Sequence, residues 1–582
     1  MMRRMVRRVA FITGVFLLVA GAAALAAQRI VYVDDDAAAN GDGRSWATAY
    51  RFLQDALADA EAVGEPIEIR VAQGIYKPDR DRRNPDGGRD RNVSFRLSGG
   101  MSLLGGCAGI GADDPNRRDS ETCQTVLSGD LLGNDAEVTD PAMMKDDPTR
   151  TDNSSVMYIY GDGSRLDGCV ITGGGSSFGA LEILGNMTIS NCTFFANCTD
   201  GRHPYCSGAV RLVTWGASAV IERCQFVRNA AEEGGALRGG NVVLNHCVFT
   251  ENYAWRKGGS ASLIGAGVVV GCTFADNRAR QGGALYLDGI STTNTVVRCV
   301  FRGNAATPYV GGAILCEGSA RIESSLFVGN TGVSGGGVCH SQFGDVTLVN
   351  SLLVGNQAGR RGGAWSTREG SSLEIINCTI LENRAPEAPF LAVDINSDPR
   401  SSHVSVVNCV VSNGGPEIWS NDSPVEIAYS CIEQGIIALD EQEDWLVLGP
   451  GNINGDPCFV DLGHWDTNGT PEDSNDDFFV EGDYHLRSQA GRWDPTSGSW
   501  AQDDGTSPCI DAGDPNSPIG YEPFPNGGII NMGAYGGTAE ASKSYFGEPP
   551  CETIIAGDIN GDCRVDIADV IILLDHWLQS GL

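Results

Sequence analysis

The sequence predicts an all-β solenoid, a parallel β-helix of short stacked coils. Three observations carry that prediction. One motif recurs along the chain, its first positions spaced 22 to 32 residues apart. The segments between motifs are short, β-branched and alternating, such as "NVVLNHCVF" and "TNTVVRCVF", with no 3.6-residue amphipathic period. A glycine pair closes most copies. Repetition at this period with strand-like segments means that each unit is one coil and that neighbouring coils bury each other's core.

The motif reads C-x-F-x-x-N, a variable stretch, then G-G-[AGS]. Its first position is Cys192, Cys224, Cys247, Cys272, Cys299, Ser325, Ser351 and Cys378, with looser copies at Cys169, Cys409 and Cys431. Five residues on stand Asn197, Asn229, Asn252, Asn277, Asn304, Asn330, Asn356 and Asn383. The glycine pairs begin at Gly234, Gly258, Gly282, Gly311, Gly335 and Gly362.

Cys and Phe two apart face the same side of a strand and should fill the core. Asn is expected to take a left-handed turn conformation and to stack into an amide ladder between coils. The glycines should supply a sharp turn at positive φ. Stacked Cβ atoms ~4.8 Å apart are too distant for a regular disulfide, and Ser replaces Cys twice, so the Cys column reads as small buried hydrophobes. These letters recur in every coil and therefore read as structural; a catalytic site would occur once.

Length and charge set further bounds. The chain has 582 residues, too many for one simple core, and 74 acidic against 41 basic residues give a net charge of -33. That balance argues against a nucleic-acid partner and for solubility or affinity for cations. The N-terminus, "MMRRMVRRVAFITGVFLLVAGAAALAAQ", has a basic start, an apolar run and an A-x-A end. Residues 1–26 are expected to be a secretory signal peptide, the alternative being a retained anchor. The mature chain is then extracellular or at the cell surface, without a membrane span, in a setting that permits disulfides among its 19 cysteines.

The coils resemble the polymorphic outer membrane protein repeat, whose signature is G-G-A-I with F-x-x-N. More broadly they resemble right-handed parallel β-helix proteins of the pectin-lyase-like superfold. The resemblance covers roughly 160–435 and implies fold rather than activity, because that superfold hosts lyases, hydrolases, adhesins and passive surface proteins.

Ahead of the repeats, 27–159 reads as an N-terminal cap and the first irregular coils. An amphipathic helix over 48–62 is expected to cover the open end, with Phe52, Leu53, Ala56, Leu57 and Ala60 on its apolar face. The regular coils are assigned to 160–435, and one continuous β-helix to about 95–435. Residues 436–545 read as final coils and a cap, 546–550 as a linker, and 551–582 as a small calcium-loop–helix module.

That module, "GDINGDCRVDIADVIILLDHWL", holds the sharpest chemistry. Asp558, Asn560, Asp562, Arg564 (through its carbonyl), Asp566 and Asp569 fall at positions 1, 3, 5, 7, 9 and 12 of an EF-hand loop, the spacing of oxygen ligands that calcium requires. It resembles half of a type I dockerin, which implies docking to a cohesin-like or other cell-surface protein. A dockerin carries two copies, and here one is present. Cys563 takes the tight-turn position where Gly is usual. Cys551 lies twelve residues upstream, and a Cys551–Cys563 disulfide is expected to hold that turn.

No acid–base pair stands out within the coils. The clustered Asp residues and Arg-x-Lys signature of polygalacturonase-like hydrolases are missing there. The variable stretch between Asn and Gly-Gly brings Trp255, Arg256 and Lys257, then Arg280, then Arg360 and Arg361 to corresponding places in successive coils. They form either a ridge suited to an acidic polysaccharide or ordinary solvated loop tips. The sequence thus favours an exported, non-catalytic binding, adhesion or structural protein with a calcium-binding tail. The alternative is a polysaccharide lyase or glycoside hydrolase acting on acidic polysaccharide.

Overall fold

The computed structural model describes residues 29–545 apart from 65, 176–178, 200–205, 214–215, 369, 395–402, 416, 422, 434–444 and 473–475, together with residues 565, 567, 570 and 571. The signal segment 1–26, the calcium ligands Asp558, Asn560, Asp562, Arg564, Asp566 and Asp569, and the Cys551–Cys563 pairing lie outside the described residues. Among the described residues no helix is long and apolar enough to cross a membrane.

The architecture is a parallel β-helix. It has three parallel sheets, of 25, 13 and 6 strands, the smallest confined to the coils from Ala230 to Ala358. The largest contains two columns of strands. One starts at Arg29–Val33 and continues through Ile67–Ala72; the other starts at Phe95–Ser98. Coiling is therefore already under way at Arg29, ahead of the expected residue 95, because the "RIVYV" segment pairs in parallel with "IEIRV".

The cap helix spans Leu53–Val63 and ends on Gly64 at φ 69. It buries Leu53, Ala56, Leu57 and Ala60 and packs against Arg29–Val33 and Phe95–Ser98, the first strand of each column. A helix closes this end because both first strands would otherwise expose an unpaired edge.

Inside, the repeated letters stack in register. Phe194, Phe226, Phe249, Phe274, Phe301 and Phe327 form a column of parallel rings with centroids 4.5–4.9 Å apart. Each ladder asparagine donates Nδ2 to Oδ1 of the asparagine one coil on, from Asn197 through Asn229, Asn252, Asn277, Asn304, Asn330, Asn356 and Asn383 to Asn413, at 2.9–3.0 Å. Each also accepts the backbone N–H of the preceding ladder residue, as Asn252 N to Asn277 Oδ1 at 2.9 Å.

The left-handed residue is not the asparagine but the one before it. Arg228, Glu251 and Asp276 sit at φ 52, 55 and 56, and Gly303 at φ 62. Their side chains leave the turn toward the surface, so any residue able to bear the strain can stand there.

The cysteine column does more than fill space. Cys192 N–H donates to Cys224 Sγ at 3.5 Å and Cys247 N–H to Cys272 Sγ at 3.3 Å. Where serine replaces cysteine the same bond recurs, Cys299 N–H to Ser325 Oγ at 3.2 Å and Ser325 N–H to Ser351 Oγ at 3.1 Å. Each coil needs an acceptor at this turn, and sulfur or oxygen serves. The described cysteines are all free thiols.

The two glycines of each pair answer different needs. The first is left-handed, Gly282 at φ 61 and Gly311 at φ 73. The second lies under the next coil; a Cβ on Gly283 would sit 2.1 Å from the Gly312 carbonyl oxygen. In the coil near 335 the pair that fills these roles is Gly336–Gly337 rather than Gly335–Gly336: Gly336 has φ 62, and a Cβ on Gly337 would meet the Gly363 oxygen at 2.1 Å.

The expectation for 436–545 is largely overturned. One further strand, Leu446–Leu448, extends the solenoid. Among the described residues the rest forms three antiparallel strand pairs and long loops that lie along the side of the helix. Phe459, Tyr484, Leu486, Cys509, Ile510 and Met532 pack on Val328, Val354, Leu381 and Val410, the outward residues of the 13-stranded sheet. Asn350 anchors the unit by donating Nδ2 to the carbonyls of Ala534 and Gly536 at 3.0 and 2.7 Å. Apolar outer residues on consecutive coils demand a cover, and this unit supplies it from the side.

Candidate polysaccharide groove

After each glycine pair the chain enters one column of the largest sheet, and the outward positions of that column line up. Tyr286, Leu315, His340, Ser366, Ala392 and Trp419 form one row. Asp288, Glu317, Gln342, Arg368 and Asp394 form the row beside it. Opposite lies the short six-stranded sheet that carries the variable stretch. A groove of about 340 Å³ runs between them, walled by Tyr309, Arg360 and Arg361 on one side and by His340, Arg368 and Trp419 on the other.

The expected ridge divides in two. Its first half is engaged within the fold. Trp255 lies under the Lys145 ammonium at 4.6 Å and edge-on to Tyr253, in an apolar cluster with Val138 and Met144. Arg256 pairs with the buried carboxylate of Glu233 at 3.2 Å. Lys257 donates to both oxygens of Glu317 at 2.7 and 2.8 Å and lies 4.3 Å over the Tyr286 ring.

The second half faces the groove. Arg280 donates to the Tyr309 hydroxyl at 3.0 Å at its rim. The Arg361 guanidinium lies over the Trp419 ring, its carbon 3.8 Å from the ring centre, while its Nε pairs with Glu387. Arg360 lines the same wall. A guanidinium stacked on indole is held in place without losing its outward N–H donors, which suits recognition of a carboxylate.

Two titratable clusters flank these residues. Glu317 is pushed up by burial, but Lys257 and Tyr286 outweigh that and hold it below the usual carboxylate range. The Tyr286 hydroxyl donates to Glu317 Oε2 at 2.6 Å, and burial together with that carboxylate raises its pKa. Gln342 Nε2 adds a bond to Glu317 Oε1 at 2.8 Å. On the groove floor His340 is buried, its Nδ1 2.7 Å from Ser366 Oγ, and burial lowers it to about 4, so it is neutral at physiological pH. Arg368 pairs with Asp394 at 3.1 Å.

Sequence reasoning reaches the arginines because they fall in the variable stretch between asparagine and glycine pair in several coils. It does not reach Tyr309, His340, Ser366 or Trp419. Those residues are unique to their coils, and only the register places them in one groove.

Asp34, Asp35 and Asp36 bring carboxylate oxygens within 4.8 Å of one another. Asp34 accepts from Ile110 N and Asp36 N at 2.7 and 3.0 Å, and Asp35 from Ile75 N at 3.2 Å. Two of the three carboxylates are thus committed to holding the chain around the first coils.

Comparison with known proteins agrees with the fold. The family described as "Right handed beta helix region" matches residues 147–262 and 213–353. A second family, "Disaggregatase related", matches 449–513, in the lateral unit. A metabotropic glutamate receptor-like protein R from Dictyostelium discoideum is 32% identical over 147 residues, which is 24% of this chain and 9% of that protein. Among solved structures, pectate lyase Pel9A matches at a TM-score of 0.34 with 14% identity, covering 87% of this chain and 96% of its own. The complex of XylC with xylose matches at 0.34 with 9% identity, covering 76% and 88%. Scores at that level carry no argument about activity. The coils and the family match together establish the fold: this chain is built as a right-handed parallel β-helix.

Proposed function

We propose that this is an exported, non-catalytic β-helix protein that binds acidic polysaccharide in the groove lined by Arg360, Arg361 and Trp419 and attaches through a calcium-binding tail. The observation that carries the reading is the Arg361–Trp419 stack at 3.8 Å, with Arg360 and Tyr309 on the same wall. An aromatic ring beside fixed guanidinium donors offers an apolar face to a sugar ring and charge to its carboxylate. The alignment runs along the stacked coils, so the groove follows the solenoid axis and suits a linear chain. Export rests on the 1–26 segment and attachment on the 558–569 loop.

A second reading, cleavage of the same polymer by a lyase or hydrolase, draws support from the Lys257–Glu317–Tyr286 cluster, a lysine and a carboxylate together on a coil face beside the groove. Binding comes first because those groups satisfy one another.

The purified chain should be screened against uronic-acid polymers for binding and, in the same samples, for unsaturated products and new reducing ends. Retention by polygalacturonate, weakened about tenfold or more in Trp419→Ala or Arg361→Ala, is the expected result. Turnover abolished by Lys257→Ala or Glu317→Gln would replace the binding reading with the enzymatic one.

A further inference from the structure

A second pocket, of about 220 Å³, shares no lining residue with the groove. It lies between the 144–151 segment, Arg91, Gly175 and the Cys198–Thr199 pair. In a chain with 74 acidic and 41 basic residues, three cations line it: Arg91, Lys145 and Arg150.

Its one lining carboxylate, Asp147, is turned to local work, accepting from Thr149 N and Oγ1 at 2.8 and 2.7 Å. Arg91 gives one N–H to the Gly175 carbonyl at 3.0 Å. Arg150 is buried. It bonds to Asp135 at 3.0 Å and to the Ala196 carbonyl at 2.5 Å, and its Nε has no partner. Thr199 is 1% exposed, and its Oγ1 has no partner either. Buried donors are seldom left unmet, so a wall with two of them beside three cations is an incomplete site.

We infer that this pocket binds an oxyanion, a carboxylate or sulfate group, with Arg91, Lys145 and Arg150 supplying charge and Thr199 a hydroxyl. An anionic oxygen accepts strongly from guanidinium, ammonium and hydroxyl donors alike, which fits this mixed lining. The group could arrive on a saccharide or as the free ion, and the chemistry is the same.

Titration calorimetry on the full chain at low ionic strength tests it, with sodium sulfate and with galacturonate as separate probes. Arg150 supports Asp135 and the Ala196 carbonyl, so its substitution endangers the fold. Lys145, which is exposed, and Arg91, which is half-buried, carry the test instead. Saturable binding weakened about tenfold or more in Lys145→Ala and in Arg91→Ala is expected, since each removes a charged donor. Sulfate binding should be the same in the wild type and in Arg361→Ala, the groove variant, and the galacturonate titrations are run in the Arg361→Ala background so that heat from the groove does not enter. Binding of sulfate alone supports the site and assigns it to a free ion; binding of galacturonate in competition with sulfate supports it and assigns a saccharide. No heat from either probe at millimolar concentration, or heat that survives both variants, overturns the inference.

Discussion

Asn413 ends the asparagine ladder on Glu417. Its Nδ2 lies 2.8 Å from Glu417 Oε2, and its backbone N–H lies 3.0 Å from Oε1. All the ladder amides point the same way, so the column presents an unpaired donor at this end. A carboxylate there both completes the hydrogen bonding and faces the positive end of an aligned row of dipoles.

Glu417 is 1% exposed, and burial pushes its pKa up to about 7 despite the Asn413 bonds. A carboxyl raised in the folded state stabilises the fold below about 4.5, its unfolded value, and that contribution is lost as pH rises through about 7. Glu417→Gln keeps an acceptor and removes the charge. Urea midpoints measured from pH 5 to 8 should fall less steeply in the variant, by up to about 3 kcal/mol of stability at the alkaline end. Identical pH profiles for the two proteins would show that Glu417 does not titrate as argued.

Asn277 sits in mid-ladder, fully buried. It donates to Asn304 Oδ1 and to the Phe249 carbonyl, and accepts from Asn252 N and Nδ2. Asn277→Ala leaves several of these groups unmet with no route for water, at a cost of about 3 kcal/mol or more. Asn277→Asp has a similar shape but cannot donate to both acceptors and adds buried charge, so it should be the worse of the two. Denaturant unfolding of both variants checks the order.

The glycines separate steric from conformational demand. Gly283→Ala would drive a Cβ to 2.1 Å from the Gly312 oxygen and break the Gly283 N to Gly311 O bond of 3.0 Å. Loss of soluble folded protein is expected. Gly329 has φ 62 but open space where a Cβ would go. Gly329→Ala should cost only about 1 kcal/mol, and Gly329→Asn less, because Arg228, Glu251 and Asp276 hold the same conformation in other coils.

The same contrast explains how much the sequence could reveal. Residues that every coil requires, Phe249, Asn277 or Gly283, repeat and so announce both fold and role. The asparagine ladder and the cap helix were legible for that reason and from the apolar period of Leu53 to Ala60. The groove was only half legible. Arg361 belongs to the repeated stretch, but Trp419 stands alone, and nothing in the chain marks it as Arg361's neighbour. The lateral unit was misread because Val328, Val354, Leu381 and Val410 look like ordinary strand residues until their shared outward face is seen.

The last prediction concerns the tail, where the argument rests on spacing. Asp558, Asn560, Asp562, Asp566 and Asp569 place five side-chain ligands in a twelve-residue loop, and the Arg564 carbonyl adds another oxygen. Four of those five side chains are carboxylates, so without a cation they repel, and the loop should order as calcium binds. Cys563, at the position where glycine is usual, would be held by a disulfide to Cys551. Calorimetry on the oxidised full-length chain should therefore show a calcium site that Asp558→Ala abolishes, while the thermal unfolding of the coils stays unchanged. Mass spectrometry of the same protein should find Cys551 and Cys563 linked in one peptide pair. A wild-type chain that takes up no calcium at millimolar concentration would rule out this assignment of the tail.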